Sequence, residues 1–123
     1  MEANKPRDIK ERTFAFALDA VRLCKELERK PGVSRVLVKQ LVRSGTSIGA
    51  NIEEGFAGQS EADFLNKYGI ALKEARETVY WLRLLIESGE CTSAQAVAMN
   101  REAQEIGSII GAIIAKTKGT HKK

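Results

Sequence analysis

The chain has 123 residues, 43% of them hydrophobic and 29% charged, which suits one domain with a modest core and is too short for two. Only Pro6 and Pro31 interrupt long stretches rich in Ala, Leu, Glu, Lys and Arg, so helix is favoured over sheet, and no apolar run approaches the roughly 20 residues of a membrane span. The net charge of +4 is uneven: residues 1–45 hold eleven basic and six acidic groups and residues 46–123 nine and ten, a balance that permits a polyanion partner at the N-terminal half. The opening residues 1–8 carry no apolar run after their charges, and the chain is expected to be cytoplasmic and unexported.

A first helix is predicted from 8 to 29, stopped by Pro31-Gly32. Phe14, Leu18 and Val21 form one stripe, while Phe16, Ala20, Leu23 and Leu27 carry the apolar surface far around the cylinder. Only a narrow wedge with Asp19, Arg22, Glu26 and Arg29 is polar, so this helix is expected to touch more than its neighbours in one bundle.

The second helix, 34–54, turns Leu37, Leu41, Ile48 and Ile52 inward, with Val38, Val42 and Phe56 at the margin. Its segment from Arg43 to Phe56 puts Ser, Thr, Gly and Asn where a solitary helix would want Leu or Ala, and so requires other helices pressed closely against it. Gly55 is expected to end it in the left-handed conformation. Ser60 caps a third helix, 61–88, with the clearest periodicity in the chain, through Phe64, Tyr68, Ala71, Ala75, Val79, Leu82 and Ile86. Gly89 closes it, Thr92-Ser93-Ala94-Gln95 resembles a capping box, and a fourth helix, 93–116, faces Met99, Ala103, Ile106, Ile110 and Ile113 inward. The basic tail 117–123 is expected to fray. Short turns between four helices give an all-α, antiparallel up-down-up-down four-helix bundle as a single domain over 1–123.

Gln40, Ser44, Ser47, Asn51 and Glu54 make a polar ridge along the second helix, to be read either as structural, satisfying loop or helix-end backbone groups, or as a recognition surface. Ile70, Trp81 and Leu84, flanked by Leu85, lie opposite Phe64 and Tyr68 and are a candidate subunit interface, unless Trp81 lies flat on its own bundle. Ala103, Gly107, Gly111 and Ala115 form a row of small residues that serves close packing within the bundle or between copies. Two basic rows, Arg22, Lys25 and Arg29 on the first helix and Arg35, Lys39 and Arg43 on the second, are candidates for tracking nucleic-acid phosphates, although Glu26 and Glu28 interrupt the first.

Catalytic chemistry finds little to stand on. His121 is the single histidine, Glu53 and Glu54 point about 100° apart on a helix, and no phosphate-cradling Gly loop follows a strand. Cys24 and Cys91 have neither CxxC spacing nor His partners, so no zinc site, disulfide framework or cofactor is expected.

The run from Leu41 to Gly55, followed by Ser60, Phe64, Ala71, Lys73-Glu74-Ala75-Arg76-Glu77-Thr78 and Tyr80-Trp81-Leu82-Arg83-Leu84-Leu85, resembles the bacterial four-helix-bundle proteins encoded in intervening sequences of 23S ribosomal RNA genes. The similarity covers about 9–87, with Asn51, Ile52, Glu54 and Gly55 as the matching motif positions. The resemblance implies a small cytoplasmic bundle that assembles as a ring of five, a homopentamer. It also implies a superfamily shared with accessory proteins of retroelement reverse transcriptases, basic relatives that bind nucleic acid, and it brings no catalytic residue. The expected function is therefore a non-enzymatic, nucleic-acid-binding accessory or scaffold, with RNA or DNA and a protein such as a reverse transcriptase as partners. The alternative is a purely structural or protein-binding assembly without nucleic-acid affinity.

Overall fold

A computed structural model describes residues 8–121 and contains four helices: α1 (Asp8–Glu28), α2 (Arg35–Ala57), α3 (Glu61–Glu87) and α4 (Ala94–His121), with no strand among the described residues. Sequential helices pack antiparallel; α2 is held between α1 and α3, α3 packs on α4, and α4 closes the ring on α1 through the lightest of these contacts. The bundle expected from sequence is the one observed.

The turns follow their residues. Gly32 and Gly89 both take positive φ, 88° and 83°, where a side chain would be strained. Ser34 caps α2 by accepting from Leu37 N at 3.2 Å, and Ser60 caps α3 by accepting from Asp63 N at 3.1 Å. Glu90 accepts the Ser34 N–H at 2.7 Å, which ties the α1–α2 turn to the α3–α4 turn at the same end of the bundle.

Two boundaries move outward from their expected places. Gly55 does not end α2; the helix runs on to Ala57 and is capped by Gly58, and Gly55 has no positive φ. Its role is proximity: a Cβ there would lie 2.7 Å from the Tyr68 ring. Nor does α4 fray at 117. It continues to His121, with Thr117 Oγ1 donating to the Ile113 carbonyl at 2.8 Å and Ile113 and Ile114 packed against the core; residues 122–123 lie outside the described residues.

The core is built from Phe16, Ala20, Leu23 and Leu27 of α1, Leu41, Ile48 and Ile52 of α2, Tyr68, Ala71, Leu82 and Leu85 of α3, and Met99, Ile106 and Ile110 of α4. Small residues on α2 let α1 come close, as that helix's composition requires: a Cβ on Gly45 would meet Ala20 Cβ at 3.0 Å, and one on Gly49 the Thr13 carbonyl at 3.2 Å. Arg12 bridges α1 to α4 through a two-pronged bond with Glu102 at 2.7 and 3.0 Å, a geometry that holds its guanidinium above the ordinary Arg value.

Candidate nucleic-acid interface and assembly surfaces

Because α1 and α2 are antiparallel neighbours, the end of one and the start of the other share one end of the bundle. Cys24 Sγ reaches the Val38 carbonyl at 3.6 Å, which sets Lys25 and Lys39 at nearly one level. Arg22, Lys25, Arg29, Arg35 and Lys39 are all exposed there, and none makes an ion pair among the described residues. The structure thus brings five of the six expected cations together, with Glu26 and Glu28 interspersed and also exposed.

Arg43 stands apart from that group. Its guanidinium donates to Glu74 at 3.1 Å and to Glu77, and its Nε to Gln40 at 3.1 Å. Glu74 is 8% exposed, and beneath it Thr78 Oγ1 bonds both the Glu74 carbonyl at 2.8 Å and Ser44 Oγ at 2.9 Å. The result is a polar seam between α2 and α3 in which Arg43 neutralises two carboxylates, and that leaves it less charge to offer a phosphate.

The polar ridge is part of the same seam. Ser47 donates to the Arg43 carbonyl at 2.7 Å, Asn51 Nδ2 to the Ser47 carbonyl at 2.8 Å, and Glu54 pairs with Lys67 of α3 at 2.8 Å. Asn51 therefore bonds within its own helix rather than to loop or helix-end backbone groups, and Glu54 clamps α2 to α3. Ile52 is fully buried in the core, and Gly55 is the flat seat for Tyr68, whose ring also stacks on Phe64 with centroids 4.0 Å apart.

The expected interface on α3 divides. Leu84 is 38% exposed, and Ile70 and Trp81 are half-buried, whereas Leu85 is fully buried and belongs to the core. The α3 helix packs between α2 and α4, and its inward arc is wide enough to take in Leu85. Trp81 leans on the core and donates Nε1 to Glu77 at 3.4 Å, so it is only partly available; Tyr80, which sequence patterning passed over, is 55% exposed and meets Trp81 edge to face.

An uncovered apolar stripe lies on α1. Phe14 is 60% exposed, and Leu18 and Val21 continue the stripe; they lie outside because Phe16, Ala20, Leu23 and Leu27 occupy the core. Beside Phe14, a shallow groove of about 250 Å³ runs between α1 and α2, lined by Ala17, Thr46, Gly49, Ala50 and Glu53. The sequence contained the signal, spacings of four and three, but with two competing stripes on α1 only the packing decides which one faces in.

Little in the bundle invites covalent or metal chemistry. Among the described residues no group of three His, Cys, Asp or Glu could hold a metal. Cys24 and Cys91 are both buried as free thiols, and burial pushes the Cys24 thiol up to about 12, far from the thiolate a nucleophile needs. No helix among the described residues is long and apolar enough to cross a membrane.

The comparisons with known proteins agree with the motif on α2. The family described as 23S rRNA-intervening sequence protein matches residues 5–112. A crystal structure of a protein with unknown function from the S23 ribosomal protein family of Bacteroides thetaiotaomicron is similar at 46% identity with a TM-score of 0.81, over 86% of this chain and 97% of that one. No curated protein matches the chain.

Proposed function

The chain belongs to the 23S rRNA-intervening sequence protein family, and on that premise we propose that it is a non-enzymatic, cytoplasmic, homo-oligomeric helical scaffold that binds nucleic acid through repeated phosphate contacts. The observation that carries this reading is that a single hairpin, α1–α2, presents both an uncovered apolar stripe, Phe14, Leu18 and Val21, and exposed cations, Arg22, Lys25, Arg29, Arg35 and Lys39, that make no ion pair among the described residues. Apolar surface of this kind is stabilised by a neighbouring subunit, and each added subunit repeats the cations. Because Glu26 and Glu28 dilute one patch, repetition rather than a single copy supplies the affinity.

A pentamer, and RNA or DNA with a protein partner such as a reverse transcriptase, are the specific assembly and partners proposed, on the strength of the resemblance carried by the α2 motif. A second reading, a structural or protein-binding assembly without nucleic-acid affinity, is favoured by one observation: Arg43, the most central of the α2 cations, already serves Glu74 and Glu77.

Binding of labelled single-stranded RNA and duplex DNA, measured across a salt series beside native mass, separates the two. The first reading expects a multimer whose affinity falls steeply with salt and is lost when Arg22, Lys25, Arg35 and Lys39 are replaced by Glu. A multimer that binds neither polymer at low salt establishes the second, and binding undiminished by charge reversal overturns the phosphate contacts assigned to these residues.

A further inference from the structure

The bundle carries a protrusion on one side and a cleft on the other. Phe14 stands out from the α1–α2 side, with Leu18 one turn away. On the opposite side, α3 and α4 part over a cleft of about 400 Å³ whose wall includes Leu72, Ala75, Val79, Gly107 and Gly111, with Arg76 at its edge. The small residues of α4 do not bring α3 close here. A Cβ on Gly107 would find its nearest neighbours, Ala75 and Leu72, at 3.8 Å, and one on Gly111 would meet nothing within 4 Å.

Protrusion and cleft lie at the same height along the bundle. Thr13 meets Gly49 across α1 and α2, with its carbonyl 3.2 Å from a Cβ placed there, and Ser44 meets Thr78 across α2 and α3 at 2.9 Å. Five residues on from Ser44 along α2 is Gly49, and five back from Thr78 along α3 is Lys73, so Phe14 is level with the stretch of α3 that lines the cleft. The charges also match. Glu11, exposed three residues before Phe14 on the same face, and Arg76 at the cleft are of opposite sign, and neither has an ion pair among the described residues.

We infer that copies of this chain join through unlike faces: Phe14 and Leu18 of one copy enter the α3–α4 cleft of the next, and Glu11 comes beside that copy's Arg76. The inference rests on the homo-oligomer reading above and specifies its contact. Contacts between unlike faces propagate head to tail, and where the rotation about an axis along the bundle closes they form a ring rather than stopping at a two-fold dimer.

Two variants, each defective on one face only, test this. Phe14→Asp removes the protrusion and keeps the cleft; Gly107→Leu with Gly111→Leu fills the cleft and keeps the protrusion, at positions where a Cβ makes ordinary contact at 3.8 Å and no contact within 4 Å, respectively. Sedimentation should find each variant monomeric alone, with native helicity by circular dichroism, and an equimolar mixture should form a dimer and nothing larger. Glu11→Arg and Arg76→Glu should each weaken assembly by at least tenfold in dissociation constant, and together in one chain restore it. If either face variant assembles as the unmodified protein does, or the folded mixture stays monomeric or grows past a dimer, the contact is not this one, while the homo-oligomer reading stands. Unmodified protein that is monomeric at micromolar concentration overturns both.

Discussion

Gly55 shows how one residue's identity can be set by a neighbour far along the chain. A Cβ at that position would lie 2.7 Å from the Tyr68 ring, inside van der Waals contact, and Tyr68 is fully buried between Phe64 and the core. Gly55→Ala is therefore expected to destabilise by about 1–3 kcal/mol, the cost of overpacking, despite alanine's better helix propensity; a urea titration measures it. Gly111→Ala has the opposite sign, a gain of about 0.5–1 kcal/mol, because its Cβ would meet nothing within 4 Å and only the backbone entropy changes. Cys24 supplies a pH dependence. Its folded-state value is raised from 9.0 to about 12 by burial, so the unfolded chain loses the thiol proton first. The stabilisation from keeping the thiol neutral is complete below pH 9.0 and is lost as pH rises towards about 12. Between pH 8 and 10.5 the urea midpoint should fall less in Cys24→Ala than in the unmodified protein; equal falls would contradict the assignment.

At the scale of the helices, the α2–α3 pair is joined by chemistry as well as packing. Arg43 neutralises Glu74 and Glu77 above a buried Ser44–Thr78 hydrogen bond. Arg43→Gln strands the nearly buried Glu74 carboxylate, and a loss of about 1–3 kcal/mol in stability is expected. Its effect on polyanion affinity should be smaller than that of Lys39→Gln, since Lys39 is exposed and has no ion pair among the described residues; comparing the two variants in one salt series decides this. Helix identity and order, the Ser60 cap and the glycine turns were legible in the sequence, because Ser60, Gly32 and Gly89 act through local backbone geometry; the Ser34 cap came from the structure. The end of α2 was not. Gly55 has the composition of a stop signal, and only Tyr68 explains why it sits inside the helix.

For the whole molecule, the question is which surfaces the closed bundle leaves over. The α1 stripe and the outer side of α3 around Tyr80 and Leu84 remain exposed, the cations of α1 and α2 collect at one end, and the α3–α4 cleft stays open. Leu85, grouped by sequence with that outer side, is core, because α3 packs against helices on two sides and hides a wide arc. If assembly concentrates the cations, a monomeric variant such as Phe14→Asp should lose nucleic-acid affinity and show a shallower salt dependence although none of its cations has changed; an unaltered slope would mean that single copies bind alone.

The sequence by itself determined the number, order and polarity of the helices and the family, since periodicity, caps and the Arg43-to-Gly55 run are local properties of the chain. It also located the cations. The tertiary structure decided which of two apolar stripes on α1 faces inward, that Arg43 is spent on Glu74 and Glu77, and that Gly107 and Gly111 open a cleft instead of closing a contact. Each of these depends on how neighbouring helices rotate and separate, a quantity set by the summed packing of all four, and no single helix's sequence contains it.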